Sequence, residues 1–162
     1  MSLHEIIRNG TNEELDKAMY GGAALGVDRK SEEPEVLREM AKHLPGFTFT
    51  PKFDTEGTCH VELRYGNRTA QKAYTNIPYN CFRILLDVEA LIEPDAEMRV
   101  YEPTMGSTTH TFAVGSRAFW ERFDREASVG RKQRFQPVSF LDQAWELSGP
   151  GTRSKKWWQF WK

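Results

Sequence analysis

Residues 76–127 constrain the fold more than any other part of the chain, because they specify a helix that must be covered on most of its sides. Pro78 has the fixed φ that suits a first helical turn. Pro94 lacks a donor and disfavours helical geometry in the residue before it, so the helix is expected to run from Pro78 to Glu93. Between these limits Cys81, Phe82, Ile84, Leu85, Val88, Leu91 and Ile92 leave only a narrow polar stripe of Asn80, Arg83 and Asp87. At ~1.5–3 kcal/mol per large apolar side chain, burying that helix contributes on the order of 10–20 kcal/mol before conformational entropy is set against it.

A hairpin and a second, aromatic helix complete the stretch. Met98, Val100 and Tyr101 mark one strand, residues 104–109 turn the chain, and Thr111-Phe112-Ala113-Val114 returns it. Ser116 is placed to cap a helix that puts Phe119, Trp120, Phe123 and Ala127 on one face and charged residues on the other.

Upstream, Leu3, Ile6 and Ile7 form a short helical patch that Asn9-Gly10 interrupts. Thr11 and Glu14 have the spacing of a capping box, and Leu15, Ala18 and Met19 follow on one face until Gly21-Gly22. Ser31 is the expected cap of the next helix, whose apolar face is Val36, Leu37, Met40 and Leu44. Phe47-Thr48-Phe49-Thr50 alternates as a half-buried strand does, and Pro51 hints at a sheet edge. Cys59, Val61, Leu63 and Tyr65 are the inward positions of a second strand, Gly66-Asn67 is a two-residue turn, and residues 69–75 return with one polar face. Residues 134–141 read as a last strand weakened by Pro137, and Leu141, Ala144, Trp145 and Leu147 as a final helical turn.

The expected fold is α+β: an antiparallel sheet of about five strands with helices packed on one face, in the order α-α-β-β-β-α-β-β-α. Residues 1–147 read as one such domain, followed over 148–162 by a Gly/Pro linker and an aromatic, basic tail. The chain of 162 residues is long enough for one substantial core. Net charge is −1, which favours neither nucleic acid nor an acidic surface as partner, although residues 1–110 carry 18 acids against 12 bases and residues 111–162 carry 5 against 10. Cys59 and Cys81 make no disulfide framework, Met1-Ser2-Leu3-His4-Glu5 is not a secretory signal, and no apolar run reaches the ~20 residues needed to span a bilayer. A cytoplasmic protein is the expectation.

Few residues point to chemistry. His4, His43, His60 and His110 show no metal-pair spacing, and no H-E-x-x-H, C-x-x-C, P-loop, dinucleotide fingerprint or nucleophile elbow occurs. No cofactor or metal is expected. The glycine-rich run Tyr20-Gly21-Gly22-Ala23-Ala24-Leu25-Gly26 lacks a preceding strand and reads as a helix end. The loop from Ser107 through Thr108 and Thr109 to His110 collects hydroxyls beside a histidine and is the best catalytic candidate, ahead of a carboxylate pair. Arg117, Arg122, Arg125, Arg131, Lys132 and Arg134 are interleaved with acids, which disfavours a nucleic-acid surface. Glu89, Glu93, Asp95, Glu97 and Glu102 form an acidic run suited to a basic protein partner, since complementary fields speed association.

The tail Lys155-Lys156-Trp157-Trp158-Gln159-Phe160-Trp161-Lys162 gathers its aromatics on one side of a helical wheel. Trp157, Trp158, Phe160 and Trp161 either pack on the body or dock outward, the outward role including weak contact with a membrane surface. The Gly149-Pro150-Gly151 break favours the outward reading.

The order of elements over residues 47–127 resembles the small α+β immunity proteins of bacterial toxin–immunity systems. The resemblance rests on the Tyr65-Gly66-Asn67 hairpin, the helix between Pro78 and Pro94, the hairpin between Met98 and Val114, and the helix opening Ser116-Arg117-Ala118-Phe119-Trp120-Glu121. The aromatic tail also resembles the ends of small bacterial proteins of this kind. It implies a non-enzymatic protein that blocks a toxin, a basic toxin domain here, by direct binding, and it transfers no individual contact residue.

Overall fold

Alternation along two neighbouring strands sorts the core into two layers. Strand β5 (Ala96–Tyr101) pairs antiparallel with β6 (Thr109–Ser116), setting Met98 opposite Val114 and Val100 opposite Phe112. Met98, Val100 and Phe112 point to one face and join one core cluster, while Tyr101 and Ala113 point to the other and join a second. β1 (Leu25–Asp28) pairs beside β6 and β7 (Phe135–Pro137) beside β5, giving the strand order β1-β6-β5-β7. A separate three-stranded sheet consists of β2 (Phe47–Phe53), β3 (Cys59–Tyr65) and β4 (Arg68–Tyr74) in that order. The β3–β4 turn is two residues long, and Gly66 at φ +60 supplies the left-handed conformation it needs. The structure, a computed structural model, describes residues 1–75 and 80–141.

Two helices lie between the sheets. α4 (Asn80–Ile92) packs on β5 of one sheet and on β3 and β4 of the other, and α3 (Glu33–His43) bridges β1 and β2. Cys81, Ile84, Leu85, Val88 and Ile92 are buried, and Val36, Leu37 and Met40 meet them in the same cluster. The opposite face of the four-stranded sheet is covered by α1 (Leu3–Asn9), α2 (Asn12–Tyr20) and α5 (Arg117–Glu126), whose Ile7, Leu15, Met19, Trp120 and Phe123 form the second cluster. The layers therefore run sheet, helices, sheet, helices.

Several sequence expectations change. The strands divide into two antiparallel sheets of four and three instead of one of about five, and helices cover both faces of the larger sheet. β1 intervenes between the second and third helices. Its two apolar side chains, Leu25 and Val27, follow a glycine-rich run too short to show a period. The third helix begins after Glu32, which makes no side-chain cap, so Ser31 is not its cap. The last strand is only Phe135–Pro137, and a five-residue helix, α6 (Val129–Gln133), precedes it. A short 3₁₀ turn follows β5 at Glu102–Thr104. The capping box of Thr11 with Glu14 and the Ser116 cap are present as read, with Ser116 accepting from the Phe119 amide at 3.1 Å. Helix α4 stops at Ile92, one residue before its expected end. The expected helix start at Pro78, the final turn after Leu141 and the aromatic tail lie outside the described residues.

Arginines tie elements together at helix ends, where carbonyls have spare acceptor capacity. Arg131 of α6 donates to the carbonyls of Ile7 at 3.1 Å, Ile6 at 3.2 Å and Gly10, and to Asn12 Oδ1 at 3.2 Å. Arg68 of β4 does the same at the end of α4, reaching the carbonyls of Glu93 and Ile92 and the Asp95 carboxylate. Replacing Arg131→Met keeps the aliphatic stem and removes these donors. The expected loss is about 1–3 kcal/mol. Amide exchange should accelerate over residues 3–10 and stay unchanged over 80–92, which hydrogen-exchange mass spectrometry reads directly.

Candidate functional site

The acidic run does not gather on one surface. Glu89 turns inward from α4, and its Oε2 accepts the Met98 amide at 2.9 Å. That amide points past the end of β7, whose last pair sets Pro137 opposite Arg99, so the carboxylate terminates the ladder there. Glu97 faces the other side of the sheet and binds Arg99 Nε at 2.6 Å. Glu93 and Asp95 are exposed beyond α4 and pair with Arg117 at 3.2 Å and Arg68 at 2.5 Å. Glu102 opens the 3₁₀ turn, half-buried. Four of the five acids are thus engaged within the chain, three of them by arginines.

Arg99 is the most enclosed of those arginines at 9% exposure. It grips both Asp124 oxygens, at 2.6 and 2.7 Å, and lies 4.5 Å from the centroid of the Trp120 ring. Trp120 Nε1 donates to the Glu97 carbonyl at 2.9 Å, closing a knot between β5 and α5. Arg134 binds Asp16 at 2.9 Å and the Tyr101 hydroxyl. Arg122 pairs with Glu126, and Arg117 also approaches Glu121. Three of the six basic residues between 111 and 141, Arg117, Arg131 and Arg134, therefore join one element to another.

The hydroxyl loop separates its own candidate groups. Ser107, Thr108 and Thr109 are exposed, whereas His110 is 4% exposed, donates through Nδ1 to the Thr104 carbonyl at 3.1 Å and lies against Phe82. Burial holds the imidazole below its ordinary pKa. Ser107 Oγ accepts the Thr109 amide and has no contact with the histidine ring. Alternation explains the separation, since His110 points into the layer between the sheets while the tip projects to solvent.

Two hollows remain. One of about 380 Å³ is lined by Leu3, His4, Leu44, Tyr65, Asp95 and Ser116 among others. Its histidines are tied elsewhere: His4 donates to the Val114 carbonyl at 2.8 Å, and His43 lies 3.3 Å from Glu39. The other, about 300 Å³, brings Ser107, Thr109 and Thr111 near Tyr20 and Glu39. Glu39 is held below the usual carboxylate range, first by Lys42 and also by His43. Among the described residues no group of three or more His, Cys, Asp or Glu is placed to hold a metal ion. Cys59 and Cys81 are buried, and burial raises both thiols, Cys81 to about 11. No helix among the described residues is long and apolar enough to cross a membrane.

One broad surface is left bare. The outer face of the three-stranded sheet carries Thr48, Thr50, Lys52, His60, Glu62, Arg64, Thr69, Gln71 and Ala73, all exposed except the half-buried Glu62. Glu62 is held by Arg64 at 2.5 Å and Gln71 at 2.6 Å, and His60 by Asp54 at 3.0 Å. The alternation of β3 already indicated this face, although nothing in the sequence said that no described helix would cover it. Trp157, Trp158, Phe160 and Trp161 lie outside the described residues. No family model, curated protein or solved structure matches this chain.

Glu89 titrates where its surroundings can be tested. Burial, reinforced by Glu97 and Glu93 and opposed by the Met98 amide and Arg99, pushes its pKa up to about 7. The folded state then holds this proton more tightly than the unfolded chain, so stability falls as pH rises from the unfolded carboxylate value, ~4.3, to about 7. Glu89→Gln keeps an oxygen for the Met98 amide and removes the charge. The variant should exceed the wild type by on the order of 2–3 kcal/mol at pH 8, and the gap should close near pH 4.5, in denaturant titrations across that range.

Proposed function

We propose that this chain is a non-enzymatic protein-binding module of the immunity type, seating a protein partner on the outer face of the three-stranded sheet. The observation that carries this reading is that no described residue covers that face. Both faces of the larger sheet contribute to a core cluster, and the inner face of the smaller is buried at Phe47, Cys59, Val61, Leu63 and Tyr74, while the nine outer side chains, of mixed polarity, are exposed apart from the half-buried Glu62. A broad exposed sheet face suits macromolecular partners better than small molecules, which are taken up in enclosed pockets. The hydroxyl-loop alternative loses its support because Ser107 and His110 are turned apart.

The immunity-type element of the reading rests on the order of strands and helices over residues 47–127. A toxin partner fits a surface that carries Lys52, Arg64 and Glu62 close together, since opposed charges on a flat face set orientation as well as attraction. Glu93 and Asp95 are matched with arginines, as Glu62 is with Arg64, and the five acids of the run do not share one surface as these nine side chains do.

Capture from the native host at low and moderate salt tests the proposal, using the wild type, a Lys52→Glu/Arg64→Glu variant and a Glu93→Gln control. One stoichiometric protein should be retained by the wild type and by the control. The double charge reversal should lower its retention at least ~10-fold, the equivalent of ~1.4 kcal/mol. Adding the purified chain in equal amount should stop the partner's toxic activity. No stoichiometric protein at either salt, or one that depends on Glu93 and ignores the sheet face, would overturn the reading.

A further inference from the structure

We infer that two copies of this chain pair edge to edge through β4, joining their three-stranded sheets into one six-stranded sheet with the two α4 helices side by side. The two edges of the smaller sheet differ. The two-residue turn makes Tyr65 and Arg68 a hydrogen-bonded pair, and strict alternation then sends the Thr69, Gln71 and Ala73 backbone groups outward from β4. No described residue pairs with them.

On the opposite edge the Asp54 amide bonds the Thr58 carbonyl, so the even positions of β2 face β3 and the odd ones face out. There Pro51 has no N–H, and the Phe47 amide is already bonded to the Leu44 carbonyl. β2 is blunted as free edges usually are. β4 has neither proline nor bulge, and its inward cations are satisfied: Arg68 by Asp95, and Lys72 by Asp87 at 2.7 Å.

The occupant that fits is a second copy. Antiparallel pairing about Gln71 sets Thr69 opposite Ala73 of the other copy and Gln71 opposite itself, so every outward donor meets an outward acceptor. α4 packs on both β3 and β4 and so lies over the pair. With strands ~4.8 Å apart, the two α4 axes would stand ~10 Å apart, a normal helix-packing distance.

The flank they present to each other is self-complementary. Arg83, Leu86, Ala90 and Glu93 recur at helical spacing, with the small and apolar residues central and opposite charges at the ends. Asp87 holds the Tyr74 hydroxyl at 2.8 Å and Lys72 near the end of β4, and Arg68 at its start reaches the Ile92 and Glu93 carbonyls, so α4 runs antiparallel to β4. A two-fold axis through Gln71 therefore brings Arg83 of one copy towards Glu93 of the other, where Glu93 is 64% exposed beside Arg117. The contact is ~24 Å long and ~20 Å high, or roughly 1,000 Å² over both copies. That is the lower limit for a specific complex, so the dimer should be weak, with a micromolar Kd.

Sedimentation velocity on the full chain from about 1 to about 300 µM should show mass rising from 18.7 kDa towards twice that value. Arg83→Glu should weaken the dimer about 10-fold or more, and adding Glu93→Arg should restore it, with unchanged melting temperatures showing that the fold survives. Amide exchange at Thr69, Gln71 and Ala73 should slow with concentration while Phe49 and Phe53 do not change. A monomer throughout the range, a dimer that protects other residues, or failure of the charge swap to rescue would overturn the inference. These outcomes are independent of whether a toxin partner is captured.

Discussion

Everything else in this molecule depends on one helix having two sheets to bury it. α4 carries too much apolar surface for a helix lying on one layer, since Ile84, Leu85, Val88 and Ile92 are all fully covered. The covering comes from β5 on one side and from β3 and β4 on the other, with α3 alongside. Without the smaller sheet, much of α4 would face water, at a cost of ~25 cal/mol for each Å² of apolar surface uncovered. The same arrangement fixes what stays open: a three-stranded sheet recruited to cover a helix has one used face, and its other face meets solvent.

Polar groups then join the layers that apolar packing has brought together. Arg68 carries the smaller sheet to the end of α4, Arg99 locks β5 to α5 over the Trp120 ring, and Arg131 closes α1. Planar guanidinium groups suit these places because one side chain satisfies several carbonyls or both oxygens of a carboxylate. The basic character of residues 111–134 is largely accounted for inside the fold. Two of those bases pair with acids of the earlier chain, Arg117 with Glu93 and Arg134 with Asp16, while Arg8 and Arg99 pair the other way with Glu126 and Asp124.

Local patterns were legible where a side chain's neighbours in sequence share its environment. The alternation of Cys59, Val61 and Leu63, the Gly66-Asn67 turn, the Thr11–Glu14 capping box and the Ser116 cap all follow from chemistry within a few residues. What failed was long-range. Leu25–Asp28 becomes a strand only because β6 lies beside it, and four residues are too few to show a period. The division into two sheets depends on which hairpin packs on which face of α4, and a nearly all-apolar helix gives no clue to that. The acidic run looked continuous along the chain, yet alternation and a change of element send Glu89 and Glu97 to opposite faces of one sheet. The bare sheet face was readable as polar but not as uncovered.

Native-state hydrogen exchange across a denaturant series tests most directly whether α4 unites the two sheets. If it does, the slowest amides of β3, such as those of Val61 and Leu63, should open with the same free energy and denaturant dependence as Arg99 and Ala113 of the larger sheet, and as the α4 interior. A smaller sheet that exchanges through its own, lower-energy opening while β5, β6 and α4 stay protected would contradict the account.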